Sequence, residues 1–123
     1  MPTLIACLSS GKGTWTEVIT IMQSQAWNKI FLITNKFGQE NFTSKQLNTE
    51  LIVVDTFAEP IALVQQIKQQ LKGKISDFEI ALNIVSGSGK EHMAVLEAVL
   101  ELGLNFRLIS LNNNQVEVLG LRR

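Results

Sequence analysis

Short apolar segments that alternate with longer amphipathic ones constrain the fold of this chain more than any other feature. The apolar segments are too short for helices, and several are almost continuously apolar, as strands buried on both faces are. They span residues 3–8, 29–34, 51–55, 78–85 and 106–111. Because parallel strands need long crossover connections, this alternation predicts a mostly parallel sheet with helices on both faces.

The segments between the strands carry helix signals. Thr14 and Glu17 form a T-x-x-E pair, which predicts a capping box at the start of the first helix. Pro60 suits the first turn of a later helix, whose apolar stripe is backed by glutamines and a lysine. Residues 36–46 favour neither a helix nor a strand.

The last third of the chain carries two further signals. Ser88 and Glu91 make a second capping-box pair, ahead of a helix over residues 90–102 that is apolar enough to be buried on two sides. Three asparagines at 112–114 then separate the fifth strand from residues 115–119. Asparagine tolerates left-handed dihedrals, so this pattern predicts a terminal antiparallel hairpin.

Right-handed crossovers in this order favour a doubly wound sheet in which the first and fourth strands lie side by side. We therefore expect a Rossmann-like three-layer α/β domain with a central, mostly parallel sheet and a C-terminal antiparallel hairpin. With 46% apolar residues, residues 1–123 are expected to form this one domain. Ligands of such sheets bind outside the carboxyl ends of the strands, so the loops after the first and fourth strands form the candidate site.

Both of these loops are rich in small residues and lead into a helix. Small residues leave backbone N–H groups open, and a helix N-terminus beside a lysine binds phosphate readily. Two such loops predict a ligand with several phosphates. The candidate ligand-binding residues are Ser9, Gly11, Lys12, Gly13 and Thr14 in the first loop, and Ser86, Gly87, Ser88 and Gly89 in the second.

Several residues in these loops have simpler explanations. Helix capping alone accounts for Thr14 and Ser88, and Lys12 fits a solvated loop lysine. Lys90 differs, because a lysine near a helix N-terminus opposes the helix dipole and a bound anion would compensate it. Trp15 suits packing or a dimer contact, with stacking on a base of the ligand as the alternative.

Better-known nucleotide and metal motifs do not match. In the P-loop pattern, Ile84 stands where the first glycine belongs and Glu91 where the Mg²⁺-binding hydroxyl belongs. The first loop lacks the third glycine of the dinucleotide fingerprint, since Thr16 takes its place. His92 is the only histidine, and no cluster has metal-ligand spacing. We therefore expect neither a metal site nor a cofactor.

Composition limits the partners and the compartment. Eleven basic and eleven acidic residues leave a formal net charge of zero, which argues against binding to long nucleic acids. The only cysteine, Cys7, lies in an apolar strand, as in a reduced cytoplasmic protein. No segment approaches the ~20 apolar residues of a membrane span, so no membrane partner is expected.

Residues 83–93 (NIVSGSGKEHM), followed by an Ala/Leu-rich helix and a hairpin, resemble the CARF (CRISPR-associated Rossmann fold) domain. In that family the fourth strand often ends in a turn like T-G-G-T-K. Ser86, Gly87 and Lys90 match this turn, whereas the two residues between Gly87 and Lys90 depart from it. The resemblance covers the whole chain in element order, but its specific part is these five residues.

The resemblance implies a homodimer that binds cyclic oligoadenylate, with cyclic tetraadenylate favoured, across its two-fold axis. A domain of this family that stands alone is similar to small ring nucleases, which switch off a type III CRISPR response. These enzymes need no metal, because the ribose 2′-hydroxyl attacks the adjacent phosphodiester and leaves a 2′,3′-cyclic phosphate. In this chain, Lys90 would stabilise the developing charge as a catalytic residue. Ser10 would orient the ribose or phosphate, with Ser9 or Thr14 as alternatives.

Two other functions stay open at this stage. One is a non-catalytic module that senses or sequesters the same cyclic ligand and passes a signal to a partner. The other is a nucleotide-binding Rossmann-like protein unrelated to this family. The two-sided apolar character of the helix over residues 90–102 predicts that it meets its symmetry mate in the dimer.

Overall fold

The computed structural model describes residues 2–8, 12–43 and 48–120, which form a Rossmann-like α/β fold. Its sheet has six strands in the order β3-β2-β1-β4-β5-β6, parallel except for the antiparallel β5–β6 pair. The strands are β1 (Thr3–Leu8), β2 (Lys29–Thr34), β3 (Thr49–Val53), β4 (Glu79–Asn83), β5 (Asn105–Asn112) and β6 (Gln115–Val118). The helices are α1 (Trp15–Gln23), α2 (Lys36–Asn41), α3 (Pro60–Leu71) and α4 (Gly89–Glu101).

The central strand β1 is buried on both faces, as its continuous apolar sequence predicted. All six of its residues are buried, and it pairs in parallel with both β2 and β4. Leu4 faces the core that includes α1, while Ile5 faces the core that includes α3 and α4. The prediction that the first and fourth strands are neighbours is therefore confirmed.

A carboxylate positions the start of β1. The Thr3 backbone N–H and hydroxyl donate to the two carboxylate oxygens of Asp77, at 2.7 and 2.9 Å. Because Asp77 lies just before β4, these bonds tie the beginnings of the two central strands together. Thr3 is a buried polar residue, so the pairing also satisfies groups that would otherwise be costly to bury.

The observed strand ends correct the predicted boundaries of two strands, β3 and β4. β3 begins earlier than predicted, because the polar residues Thr49 and Glu50 pair with β2. It also ends earlier, since the Asp55 N–H bonds to the Gln66 side chain at 2.8 Å instead of continuing the strand. β4 is shorter than predicted at both ends, and the Phe78 side chain before it is exposed.

One predicted helix cap is present and the other is absent. At α4 both hydrogen bonds of the Ser88–Glu91 capping box form. At α1 the 3-10 turn Lys12–Thr14 precedes the helix, and Thr14 makes no side-chain cap. Its φ and ψ of −101° and 0° are helical, whereas a capping side chain needs an extended backbone. The predicted Thr14–Glu17 capping box is therefore wrong.

The two-sided burial predicted for α4 does not occur within one chain. Its residues Ala94, Val95, Ala98 and Val99 are buried against the sheet and α3. Met93 and Leu100, on the other side, are exposed. One apolar face of the helix is thus left open.

The C-terminal hairpin forms as predicted. Asn113 and Asn114 adopt left-handed dihedrals, with φ of 53° and 61°, between β5 and β6. In the ambiguous segment 36–46, residues 36–41 form α2, and the Asn35 side chain caps it by accepting from the Gly38 N–H at 3.0 Å.

Candidate functional site

The loops after β1 and β4 reach the same edge of the sheet. β1 and β4 pair directly, from Leu4 with Ala81 to Ala6 with Asn83, so their carboxyl ends are adjacent. The structure therefore brings together the strand ends from which the two predicted loops continue. In the first loop, Gly13 is exposed and Thr14 is half-buried. The predicted site residues Ser9, Ser10 and Gly11, and the side chain of Lys12, lie outside the described residues.

A buried threonine anchors the end of β1. The Thr34 hydroxyl donates to the Leu8 carbonyl at 2.8 Å, directly before the first loop. The Thr34 carbonyl in turn accepts from the Val54 N–H at 2.9 Å. Thr34 therefore joins the ends of three neighbouring strands. Sequence reasoning missed this role, although a threonine closing an apolar strand is a visible signal.

A buried asparagine shapes the turn after β4 in the same way. Asn83 is 2% exposed, and its amide nitrogen donates to the Ile109 carbonyl at 2.9 Å. Its amide oxygen accepts from the Val85 N–H at 3.3 Å and directs the chain out of the strand. This role was also missed, since the asparagine entered the sequence analysis only as part of a longer motif.

The turn over residues 86–90 is tightly packed at Gly87. Its φ of +108° is strained for residues with a side chain, and a Cβ there would lie 2.8 Å from the Glu91 Oε1 atom. The His92 imidazole, on the first turn of α4, donates from Nε2 to the Ser86 carbonyl at 2.8 Å. His92 thus holds the turn in place. Ser86 itself is 1% exposed and belongs to the interior.

Beyond Gly87, the backbone at the start of α4 is open. The Ser88 hydroxyl accepts from the Glu91 N–H at 3.3 Å, which satisfies one free donor of the helix end. The N–H groups of Gly89 and Lys90 have no acceptor in the part of the chain that the structure describes. A Cβ added to Gly89 would have nothing within 4 Å. An anion can therefore approach these two N–H groups.

Lys90 lies at this opening and also reaches a neighbouring loop. Its Nζ donates to the Ala58 carbonyl, between β3 and α3, at 3.0 Å. An ammonium group has three donors, and the other two have no partner among the residues described. The Glu91 carboxylate lies on the first turn of α4, so this region carries one negative and one positive side chain. Lys90 supplies the positive part.

Burial excludes Cys7 as a nucleophile and Trp15 as a surface for stacking a base. Burial raises the pKa of the Cys7 thiol from 9.0 to about 12, and the Glu91 carboxylate adds to the shift. The thiol is therefore neutral near pH 7 and unsuited to nucleophilic attack. Trp15 is 8% exposed, with its ring centroid 6.0 Å from that of Phe37 and 5.6 Å from that of Phe42. It is a packing residue, not a platform for a base.

The fold defines a class, a Rossmann-like α/β domain in which the carboxyl ends of the adjacent strands β1 and β4 lie at one edge of the sheet. The described residues 2–8, 12–43 and 48–120 contain no helix long and apolar enough to cross a membrane. The same ranges hold no group of three or more His, Cys, Asp or Glu side chains able to bind a metal ion.

Among solved structures, the chain is similar to the crystal structure of protein VC1899 from Vibrio cholerae. The TM-score is 0.65 at 11% sequence identity, and the match covers 98% of this chain and 33% of VC1899. The chain thus corresponds to about a third of that protein, and the similarity establishes a shared fold. No protein-family model and no curated protein sequence matches the chain.

The two glycines of the turn are expected to respond oppositely to alanine. Gly87→Ala should lower the free energy of unfolding by about 1–3 kcal/mol, because alanine is strained at φ +108° and meets Glu91. Gly89→Ala should change it by less than ~1 kcal/mol, since the new methyl group enters open space. Urea denaturation of both variants measures the difference, and equal losses would contradict the described turn.

Proposed function

We propose that this protein binds cyclic oligoadenylate, with cyclic tetraadenylate favoured, at the carboxyl edge between β1 and β4. It cleaves the ring without a metal ion and so switches off a type III CRISPR response. The observation that carries the proposal is the start of α4, where the N–H groups of Gly89 and Lys90 have no acceptor among the described residues and Lys90 also supplies an ammonium group with two further donors. The resemblance of residues 83–93 to the CARF domain supports the choice of ligand.

The proposed reaction uses a nucleophile that belongs to the ligand. The ribose 2′-hydroxyl gives up its proton to water as its oxygen bonds to the adjacent phosphorus. The bond from phosphorus to the 5′-oxygen breaks, and that oxygen takes up one proton from water, so the reaction consumes no net proton. The products are a 2′,3′-cyclic phosphate and a 5′-hydroxyl. The two N–H groups and the Lys90 ammonium stabilise the extra negative charge on the phosphoryl oxygens. The first loop, with Ser10, holds the 2′-hydroxyl in line with the leaving oxygen.

Two variants that each remove one charge near the turn, Lys90→Ala and Glu91→Gln, test ligand binding. Lys90→Ala should weaken cyclic tetraadenylate binding by roughly 1–3 kcal/mol, because it removes a charge-assisted contact to phosphate. Glu91→Gln should strengthen binding, because glutamine can keep the capping box while the negative charge is lost. Lys74→Ala is the control, since that lysine pairs with Glu50 on β3 and is part of neither the turn nor the lining of the groove between α3 and α4.

Isothermal titration calorimetry at two salt concentrations measures these affinities. An electrostatic site should bind more weakly at the higher concentration. Equal affinities for all three variants would place the ligand elsewhere.

Cleavage is tested with labelled cyclic tri-, tetra- and hexaadenylate in the presence of EDTA. Cyclic tetraadenylate should be converted into linear products with 2′,3′-cyclic phosphate ends. Lys90→Ala should lower the turnover rate more than it weakens binding, if its charge acts mainly in the transition state. A ring that stays intact with excess protein would exclude catalysis, and a strict requirement for Mg²⁺ or Mn²⁺ would exclude this mechanism.

The proposal includes a homodimer formed through the outer faces of α3 and α4. Ile61 on α3 and Met93 and Leu100 on α4 are 79%, 65% and 60% exposed. They line an apolar groove of about 550 Å³ between the two helices. Burying large apolar side chains against a second copy contributes favourable free energy, and a two-fold axis pairs the same face with itself.

Light scattering should report a dimer at micromolar concentration. Leu100→Asp should shift it to a monomer, because a charge would be buried in the interface. Phe78→Asp is the matched control, since Phe78 is 89% exposed but is not among the residues that line this groove. A wild-type monomer would contradict the proposed assembly.

One contact favours the alternative of a non-catalytic sensor. The Lys90 ammonium donates a hydrogen bond to the Ala58 carbonyl, in the loop between β3 and α3. A phosphate that attracts this ammonium competes with the carbonyl and can release the loop between β3 and α3. Such a coupled change is what a sensor needs in order to signal. Binding of the ring without cleavage would select this function.

A further inference from the structure

A second concavity opens at the same edge of the sheet, formed by the segments that follow β2 and β3. It has a volume of about 790 Å³, within the ~300–1,000 Å³ typical of small-molecule pockets. Its lining includes Phe37, Asp55 and Phe57. Glu91, on the first turn of α4, also lines it, so this pocket adjoins the turn over residues 86–90.

An exposed aromatic ring borders this pocket. Phe57 is 95% exposed, although its loop is held by several hydrogen bonds. The Phe57 N–H donates to the Asp55 side chain at 3.0 Å, and the Ala58 N–H donates to the Asp55 carbonyl at 3.0 Å. The Asp55 N–H bonds to Gln66 of α3 at 2.8 Å. These hydrogen bonds hold the loop in place while the Phe57 side chain is exposed to solvent.

The same loop is bonded to the proposed phosphate site. Lys90 donates to the carbonyl of Ala58, the residue directly after Phe57. An aromatic ring and an ammonium group thus occur on two segments joined by one hydrogen bond. A nucleotide carries a flat base and a phosphate on opposite sides of its ribose. The base matches the aromatic ring, and the phosphate matches the ammonium group.

The charges of the pocket suit a base better than a phosphate. Two carboxylates, Asp55 and Glu91, line it together with one lysine, Lys36. Carboxylates repel phosphate oxygens but accept hydrogen bonds from the exocyclic amino group of a base. Every base also has a π-face that can stack on an aromatic side chain.

We infer that this pocket holds a nucleobase of the phosphorylated ligand, stacked on Phe57, while the phosphate contacts Lys90 and the start of α4. This inference rests on the proposed function for the choice of adenine as the base. The pocket itself is argued from Phe57, the two carboxylates and the contact between Lys90 and Ala58.

The test is an NMR titration of the full chain with AMP and, separately, with ribose 5-phosphate. AMP should shift the amide signals of residues 54–58 more than ribose 5-phosphate does, because both ligands contact Lys90 but only AMP places a base on Phe57. Phe57→Leu should weaken AMP binding by about 5- to 150-fold, the range implied by measured base stacking. Phe57→Trp should keep it, because indole also stacks. Phe78→Leu, another exposed phenylalanine, should match the wild type.

Cyclic tetraadenylate, titrated in parallel, separates this inference from the proposed function. If AMP binds through Phe57 and the ring does not bind, the base pocket stands and the proposed function fails. If the ring binds equally to wild type and Phe57→Leu, and AMP shifts the signals of residues 54–58 no more than ribose 5-phosphate does, the pocket is overturned and the proposed function stands. AMP binding that Phe57→Leu leaves unchanged would also overturn the pocket.

Discussion

The parallel pairing of β1 with β4 is the constraint on which the rest of the structure depends. Their carboxyl ends are adjacent, so segments that are distant in sequence continue from the same edge of the sheet. Polar contacts position both ends of β1, at its start through Thr3 and Asp77, and at its end through Thr34 and Leu8. Because β1 is covered by apolar layers on both faces, it has little freedom to shift its register.

The start of α4 offers open backbone N–H groups, and polar side chains hold the turn before it in place. Asn83 directs the chain out of β4, and His92 fixes the Ser86 carbonyl. Near it, the Cys7 thiol is kept neutral by burial. A site of this composition is suited to binding anions and stabilising charge, which is the chemistry that a reaction with a ligand-borne nucleophile requires. Lys90 connects this site to the loop that carries Phe57.

Local sequence signals were reliable where a structure depends only on nearby residues. The Ser88–Glu91 capping box and the left-handed asparagines of the hairpin are short-range features, and both formed. The Thr14–Glu17 pair matched the same capping pattern, but the preceding 3-10 turn sets helical dihedrals at Thr14 and removes the cap. Likewise, β3 begins at polar residues that pair with β2, which an apolar pattern does not reveal.

The sequence by itself determined the fold class, the order of the central strands and the turn over residues 86–90, because periodicity and capping are encoded in adjacent residues. Only the tertiary structure decided which side chains meet across long separations. It placed the Lys90 ammonium on the Ala58 carbonyl, left Met93 and Leu100 exposed, and buried Trp15. These outcomes depend on how helices and loops pack on the sheet, and no local pattern specifies the distance between residues that lie 32 positions apart.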